Sequence, residues 1–172
     1  NYLVKNLIGT FYQPWAVIVD PSTLDSLPAR EFRSGMAEVI KYGVVWDGEL
    51  FDFLAGNVTK IQNLDPLSIE QIIYRSCSIK AEIVSRDELD YGLRAILNLG
   101  HTFGHALEVA GGFEEIKHGE AVGIGLCMAA NLSEILGLIS NSERLQIKSL
   151  VEAFGLACCF PPEIDPNYLL EI

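Results

Sequence analysis

Apolar and polar positions alternate at helical spacing along most of the chain, but not at its start. Ala16-Val17-Ile18-Val19-Asp20 is a short β-branched run closed by Asp20-Pro21, which predicts one buried strand. A lone strand leaves its backbone groups unpaired, so this one needs a sheet that the rest of the chain does not supply. From Pro28 the pattern becomes helical. It predicts helices from Pro28 to about Trp46 and from Asp47 to about Leu54. Asp65-Pro66, an N-cap followed by proline at the first helical position, opens a long helix to about Arg86. The next runs from about Leu93 to Ala110 and stops at Gly111-Gly112. A nearly all-apolar helix follows from about Gly119 to Leu138 and should be buried, since it has no polar face. Ser142 can cap a further helix ending near Gly155, and Asp165-Pro166 starts a last one. With no internal repeat or low-complexity tract, the pattern describes a mainly α domain preceded by a strand that belongs elsewhere.

Composition narrows this picture. The 172 residues suffice for one domain with a substantial core, or one domain and part of another. With 49% apolar and 20% charged residues the chain is globular in composition. The formal net charge of −11, without any cluster of Lys and Arg, argues against nucleic-acid binding, which needs a basic surface. Basic residues gathered at one site would stand out against this background and draw in an anion. Cys77, Cys127, Cys158 and Cys159 show no CxxC spacing and point to a reducing, cytoplasmic or organellar interior. No apolar run reaches the length of a membrane span, and the start lacks the order of a signal peptide. Asn1-Tyr2-Leu3 does not read as a natural start either, so a processed or excised piece is expected.

The chemistry concentrates in one stretch, which holds all three histidines: His101, His105 and His118. On a continuous helix Arg94, Asn98, His101, His105 and Glu108 fall within an arc of about 80°. A solvent face favours Lys, Glu and Gln; this stripe offers a guanidinium, an amide and two imidazoles, which suit oriented hydrogen bonding and metal ligation. Flanked by Leu93, Ile96, Leu97, Phe103 and Leu107, it looks like the wall of a cleft. Two ligand sets are open. His101 and His105, at i and i+4, can ligate together; alternatively one of them joins His118 and a carboxylate from elsewhere. Spacing does not choose between them, and no His-Glu-x-x-His pattern supports a protease. In the first helix Glu38 and Lys41 share a face amid apolar residues, as a surface ion pair or as part of a site. Gly35 and Gly43 beside them suggest close helix approach, because glycine inside a helix costs roughly 1 kcal/mol against alanine. Lys80 lies in an otherwise apolar stretch and needs a partner beyond its own neighbours.

These segments together resemble a known family. Lys5-Asn6-Leu7-Ile8-Gly9-Thr10-Phe11-Tyr12-Gln13-Pro14, Leu27-Pro28-Ala29-Arg30-Glu31, Gly35 through Gly43, Arg94 through Glu108, and His118-Gly119-Glu120-Ala121-Val122 appear in the order found in the 3-dehydroquinate synthases. The resemblance covers essentially the whole chain, and Gly-His-Thr-Phe-Gly-His-Ala combined with His-Gly-Glu-Ala-Val is highly specific. It implies that residues 1–27 are the end of an NAD-binding α/β domain and residues 28–172 a helical metal- and substrate-binding domain, truncated at its C-terminus. It implies zinc, or cobalt in its place, on Glu38, His101 and His118, with His105 in contact with substrate instead of metal. Lys41, Lys80, Arg94 and Asn98 map to residues that grip the substrate, joined by Asn6 from the other domain. Lys5 and the turn of Thr23, Leu24, Asp25 and Ser26 map near NAD.

The implied reaction converts 3-deoxy-D-arabino-heptulosonate 7-phosphate to 3-dehydroquinate and phosphate, in a cytoplasmic enzyme (plastidic in a plant) that is a homodimer at full length. No nucleic-acid or membrane partner is expected. Departures are visible: Val4 stands where the family usually has glycine, and the family's glycine-rich NAD segment lies upstream of residue 1. The isolated chain is therefore expected to be inactive. Three other readings remain. A sibling cyclase of the 2-deoxy-scyllo-inosose synthase type would share the metal set without a carboxylate clamp. A metal-dependent polyol dehydrogenase would use Asp as its first ligand. A helical metal-binding domain without chemistry would lose its fold along with the metal.

Overall fold

The computed structural model describes residues 14–89, 91–110 and 116–162. Helices dominate: α1 (Ala29–Val45), α2 (Gly48–Gly56), α3 (Val58–Gln62), α4 (Pro66–Arg86), α5 (His101–Ala110), α6 (His118–Ile135) and α7 (Asn141–Ala153), with 3₁₀ turns at Pro21–Ser26 and Leu93–Asn98. The expected boundaries of α1, α2 and α4 agree to within about two residues, and those of α2 and α4 begin at caps written locally. Asp47 Oδ1 accepts from the Leu50 amide at 3.0 Å, and Asp65 Oδ2 accepts from the Ser68 amide at 3.0 Å ahead of Pro66.

The apolar helix α6 lies at the centre, packed by α1, α5 and α7. Ala121 through Cys127 are buried, as a helix without a polar face requires. Its final turn departs from that expectation, because Ile135 is 80% exposed and Leu138, just beyond it, 72%. Ile40 of α1, Leu50 and Leu54 of α2, Ile83 of α4 and Phe154 after α7 complete the main core around Val122 and Leu126.

Several expectations are corrected. Ala16–Asp20 is not a strand: no ladder partner exists among the described residues, and Val17 and Ile18 stand 72% and 94% exposed. Its β-branched composition is real, but a strand is defined by its neighbour. The helix expected over 93–110 is two elements, a 3₁₀ turn and α5, divided at Leu99-Gly100. Gly100 has φ of +79°, which ends one element before the other starts. The short α3 was not anticipated, since five residues carry too little periodicity. The N-cap of α7 is Ser140, not Ser142; its hydroxyl accepts from the Glu143 amide, and Glu143 Oε2 accepts from the Ser140 amide at 2.7 Å. The helix expected from Asp165, the Gly111-Gly112 stop and the segment holding Lys5 and Asn6 fall outside the described residues.

Candidate metal centre

Three helices bring Glu38, His101 and His118 together. Glu38 comes from the middle of α1, His101 from the first turn of α5 and His118 from the first turn of α6. Backbone contacts fix these starts. A Cβ on Gly119 would lie 1.9 Å from the Ser34 carbonyl oxygen, so only glycine lets α6 begin against α1; the Gly119 amide donates to Ser34 Oγ at 3.0 Å. One residue before His101, Gly100 packs on Gly125 of α6, where a Cβ would lie 2.0 Å from the Gly100 oxygen. His101 and His118 are thus each next to a glycine that sets its height in the bundle.

The donor atoms converge. Glu38 Oε1 is 3.4 Å from His101 Nε2 and 3.7 Å from His118 Nε2, and one ligand atom from each residue lies within 4.8 Å of the others. Donors about 2.0–2.1 Å from a tetrahedral ion sit roughly 3.3–3.4 Å from each other, so these separations suit zinc with slight contraction. Glu38 Oε1 is also buried without a hydrogen-bond partner among the described residues. An orphaned carboxylate oxygen facing two imidazole nitrogens is a costly arrangement unless a cation fills it.

The other atoms of these groups are occupied. Glu38 Oε2 accepts from Lys41 Nζ at 2.5 Å, and Lys41, at 3% exposure, is no surface lysine. His101 Nδ1 is 3.3 Å from the Leu99 carbonyl, a bond that leaves Nε2 as the lone-pair donor. Burial, then the Lys41 charge and His118, depress the His101 pKa below its usual value, against the Leu99 bond and Glu38; the ring is held neutral, as ligation requires. His118 Nδ1 is 3.1 Å from Glu108 Oε1.

His105 lies one turn beyond His101, with ring centroids 5.5 Å apart, and is exposed. It forms a second group of potential donors with Glu108 and His118. The remaining sequence candidates are not joined to this centre by any hydrogen bond or ion pair among the described residues. Lys80 is exposed on α4. The Arg94 guanidinium donates to the Glu88 carbonyl at 3.2 Å and its amide to Asp87 Oδ2 at 3.0 Å. Asn98 borders a separate cleft of about 640 Å³ together with Thr102, Ala129 and Ser133. Because the 93–110 segment is not one helix, the single stripe joining Arg94 and Asn98 to the histidines does not exist. Thr23 and Leu24 edge an apolar cavity of about 340 Å³ with Phe32 and Met36, while Asp25 and Ser26 share their 3₁₀ turn. Gly35 borders the same cavity and brings no helix close, whereas a Cβ on Gly43 would lie 3.1 Å from the Phe51 backbone. Glu108 figured in the sequence stripe without a role, and its burial, at 4% exposure, is what periodicity could not supply.

Fold and site define a class: a helical domain that brings one carboxylate and two imidazoles close enough together to hold a metal ion. Residues 35–172 match the family described as 3-dehydroquinate synthase C-terminal, and residues 1–34 match 3-dehydroquinate synthase N-terminal. The chain belongs to the 3-dehydroquinate synthase family. It is 55% identical over 167 residues to a 3-dehydroquinate synthase of Acidithiobacillus ferrooxidans, covering 97% of this chain and 46% of the relative. It is 50% identical over 169 residues to that of Thermodesulfovibrio yellowstonii, covering 98% and 47%. The chain therefore spans about half the length of the curated relatives it matches. Among solved structures it resembles ValA, a 2-epi-5-epi-valiolone synthase from Streptomyces hygroscopicus with NAD⁺ and Zn²⁺ bound. That likeness has a TM-score of 0.86 at 27% identity, over 96% of this chain and 46% of the other.

Proposed function

We propose that this chain forms the metal- and substrate-binding portion of a 3-dehydroquinate synthase, which converts 3-deoxy-D-arabino-heptulosonate 7-phosphate to 3-dehydroquinate and phosphate. Residues 1–27 then belong to an NAD-binding α/β domain and residues 28–172 to the helical one. Glu38, His101 and His118 hold zinc. The observation that carries this reading is the orphaned Glu38 Oε1 facing two imidazole nitrogens. Identity of 55% to a named synthase, against 27% to a cyclase of a different product, favours the carboxylated substrate over a sibling's.

Zinc supplies Lewis-acid polarisation of a substrate oxygen, and NAD a reversible hydride acceptor. The chain's own residues bind and orient. Lys41 holds Glu38 Oε2, so that the carboxylate presents one oxygen to the metal. His105 reaches substrate from the open side, and Lys80, Arg94 and Asn98, with Asn6, grip its carboxylate, hydroxyls and phosphate. Arginine suits the bidentate part of that task. Lys5 and the Thr23–Ser26 turn lie beside NAD. A homodimer of the full-length enzyme in the cytoplasm, or in the plastid of a plant, completes the reading; among the described residues no helix is long and apolar enough to cross a membrane.

Zinc titration of the chain by calorimetry tests the centre: one ion should bind per chain, and Glu38→Gln, His101→Ala and His118→Ala should each weaken it at least 100-fold. Unchanged affinity in all three would refute the ligand set. Phosphate release from 3-deoxy-D-arabino-heptulosonate 7-phosphate by the full-length protein tests the reaction.

A further inference from the structure

His118 and His101 are held in different ways. The His101 side chain is 14% exposed and packed, whereas that of His118 is 44% exposed and sits on the first residue of α6. Packing alone would leave the His118 ring free to turn. What meets it is Glu108, from the third turn of α5, whose side chain is only 5% exposed. Glu108 Oε1 lies 3.1 Å from His118 Nδ1 while Nε2 of the same ring faces Glu38 Oε1. A carboxylate accepts and does not donate, so an ionised Glu108 at this distance selects the tautomer with the proton on Nδ1 and the lone pair on Nε2. The Leu99 carbonyl does the same for His101.

Resting on the metal reading above, we propose that Glu108 is a positioning residue: its buried carboxylate fixes the tautomer and rotation of His118 so that Nε2 points at the metal. The rival role is direct ligation, with His105 and His118 forming a second metal site. The geometry favours positioning. At 3.1 Å the Glu108 oxygen and Nδ1 are at hydrogen-bond distance. Both nitrogens of one imidazole would also have to ligate different ions. An anionic partner on Nδ1 has a second effect, since it makes Nε2 a stronger donor.

The test is zinc calorimetry of the chain with Glu108→Gln and Glu108→Ala beside His101→Ala, together with ¹⁵N NMR of the three histidines, His118 being assigned by its loss in His118→Ala. Glu108→Gln keeps the shape and a neutral acceptor, so affinity should fall about 10- to 100-fold with one ion per chain retained. Glu108→Ala should fall further, and its His118 should lose the preference for a proton on Nδ1 that the unsubstituted, metal-free chain shows. Zinc affinity within twofold of the parent in Glu108→Gln, with His101→Ala losing binding, overturns the positioning role alone. Two ions per unsubstituted chain, falling to one in Glu108→Gln, overturns it in favour of ligation. No zinc binding by the unsubstituted chain sinks the metal reading and this role together. If Glu108→Ala does not fold, the Gln variant and the tautomer of the parent chain still decide.

Discussion

At the residue scale the sharpest consequence concerns Lys41. The residue is 3% exposed and its partner in the structure is Glu38, whose side chain is about a third exposed. Removing one member of such a pair strands the other charge, at a cost of about 3–5 kcal/mol when fully buried and less here because water reaches Glu38. Glu38→Ala in chelator should therefore lower stability by about 2–3 kcal/mol, and adding Lys41→Met should recover most of the loss; urea unfolding of both variants measures it. Equal stability of the single and double variants would show that Lys41 finds another partner. The ion pair was visible in the spacing of the two residues, but its depth was not. Helical periodicity says which residues share a face and leaves open whether that face meets water or a neighbouring helix.

Helix existence was largely written in the sequence, since caps at Asp47 and Asp65 and the apolar stretch of α6 are local signals. Where helices touch was not, and glycine shows the difference. Gly35 and Gly43 look alike in sequence, yet a Cβ at Gly35 meets nothing within 4 Å, and Gly125 meets backbone at 2.0 Å. Gly35→Ala should raise stability by about 0.5–1 kcal/mol through helix propensity. Gly125→Ala should lower it by about 3 kcal/mol or more, pushing α5 off α6 and weakening zinc binding with it. Thermal melts and zinc titration of the two variants separate these outcomes, and a neutral Gly125→Ala would refute the close approach. The contact between α1 and α6 is also tied by charge. Arg30 Nε and a second guanidinium nitrogen each donate to Glu120 at 2.7 Å. That hydrogen-bonded pair, helped by the Lys117 amide, holds the Glu120 carboxyl below the usual glutamate range. A depressed folded-state pKa contributes stability above the unfolded value and loses it as pH falls through the folded one. Arg30→Gln should lower the melting temperature near pH 7, and its difference from the parent should shrink as pH falls through the depressed Glu120 value, read from melts across the acid range.

At the scale of the molecule, the proposed metal donors come from three helices while the main core, around Ile40, Val122, Leu126 and Phe154, lies within the bundle and is apolar. The chain should therefore fold without zinc and bind it afterwards, with saturating metal at 100 times its dissociation constant adding about 2.7 kcal/mol. As the chain spans about half of its relatives, the 172 residues alone are expected to bind zinc and turn over no substrate, which a phosphate-release assay with zinc and NAD checks. The sequence stripe from Arg94 to Glu108 assumed one continuous helix, and the left-handed turn at Gly100 that breaks it is a backbone state that side-chain periodicity does not encode. That same turn has a consequence for timing. Because Gly100 must already rest on Gly125 before His101 can face Glu38, the three donors exist as a set only in the finished bundle. Metal affinity of the proposed centre should therefore report on whether α5 and α6 have docked.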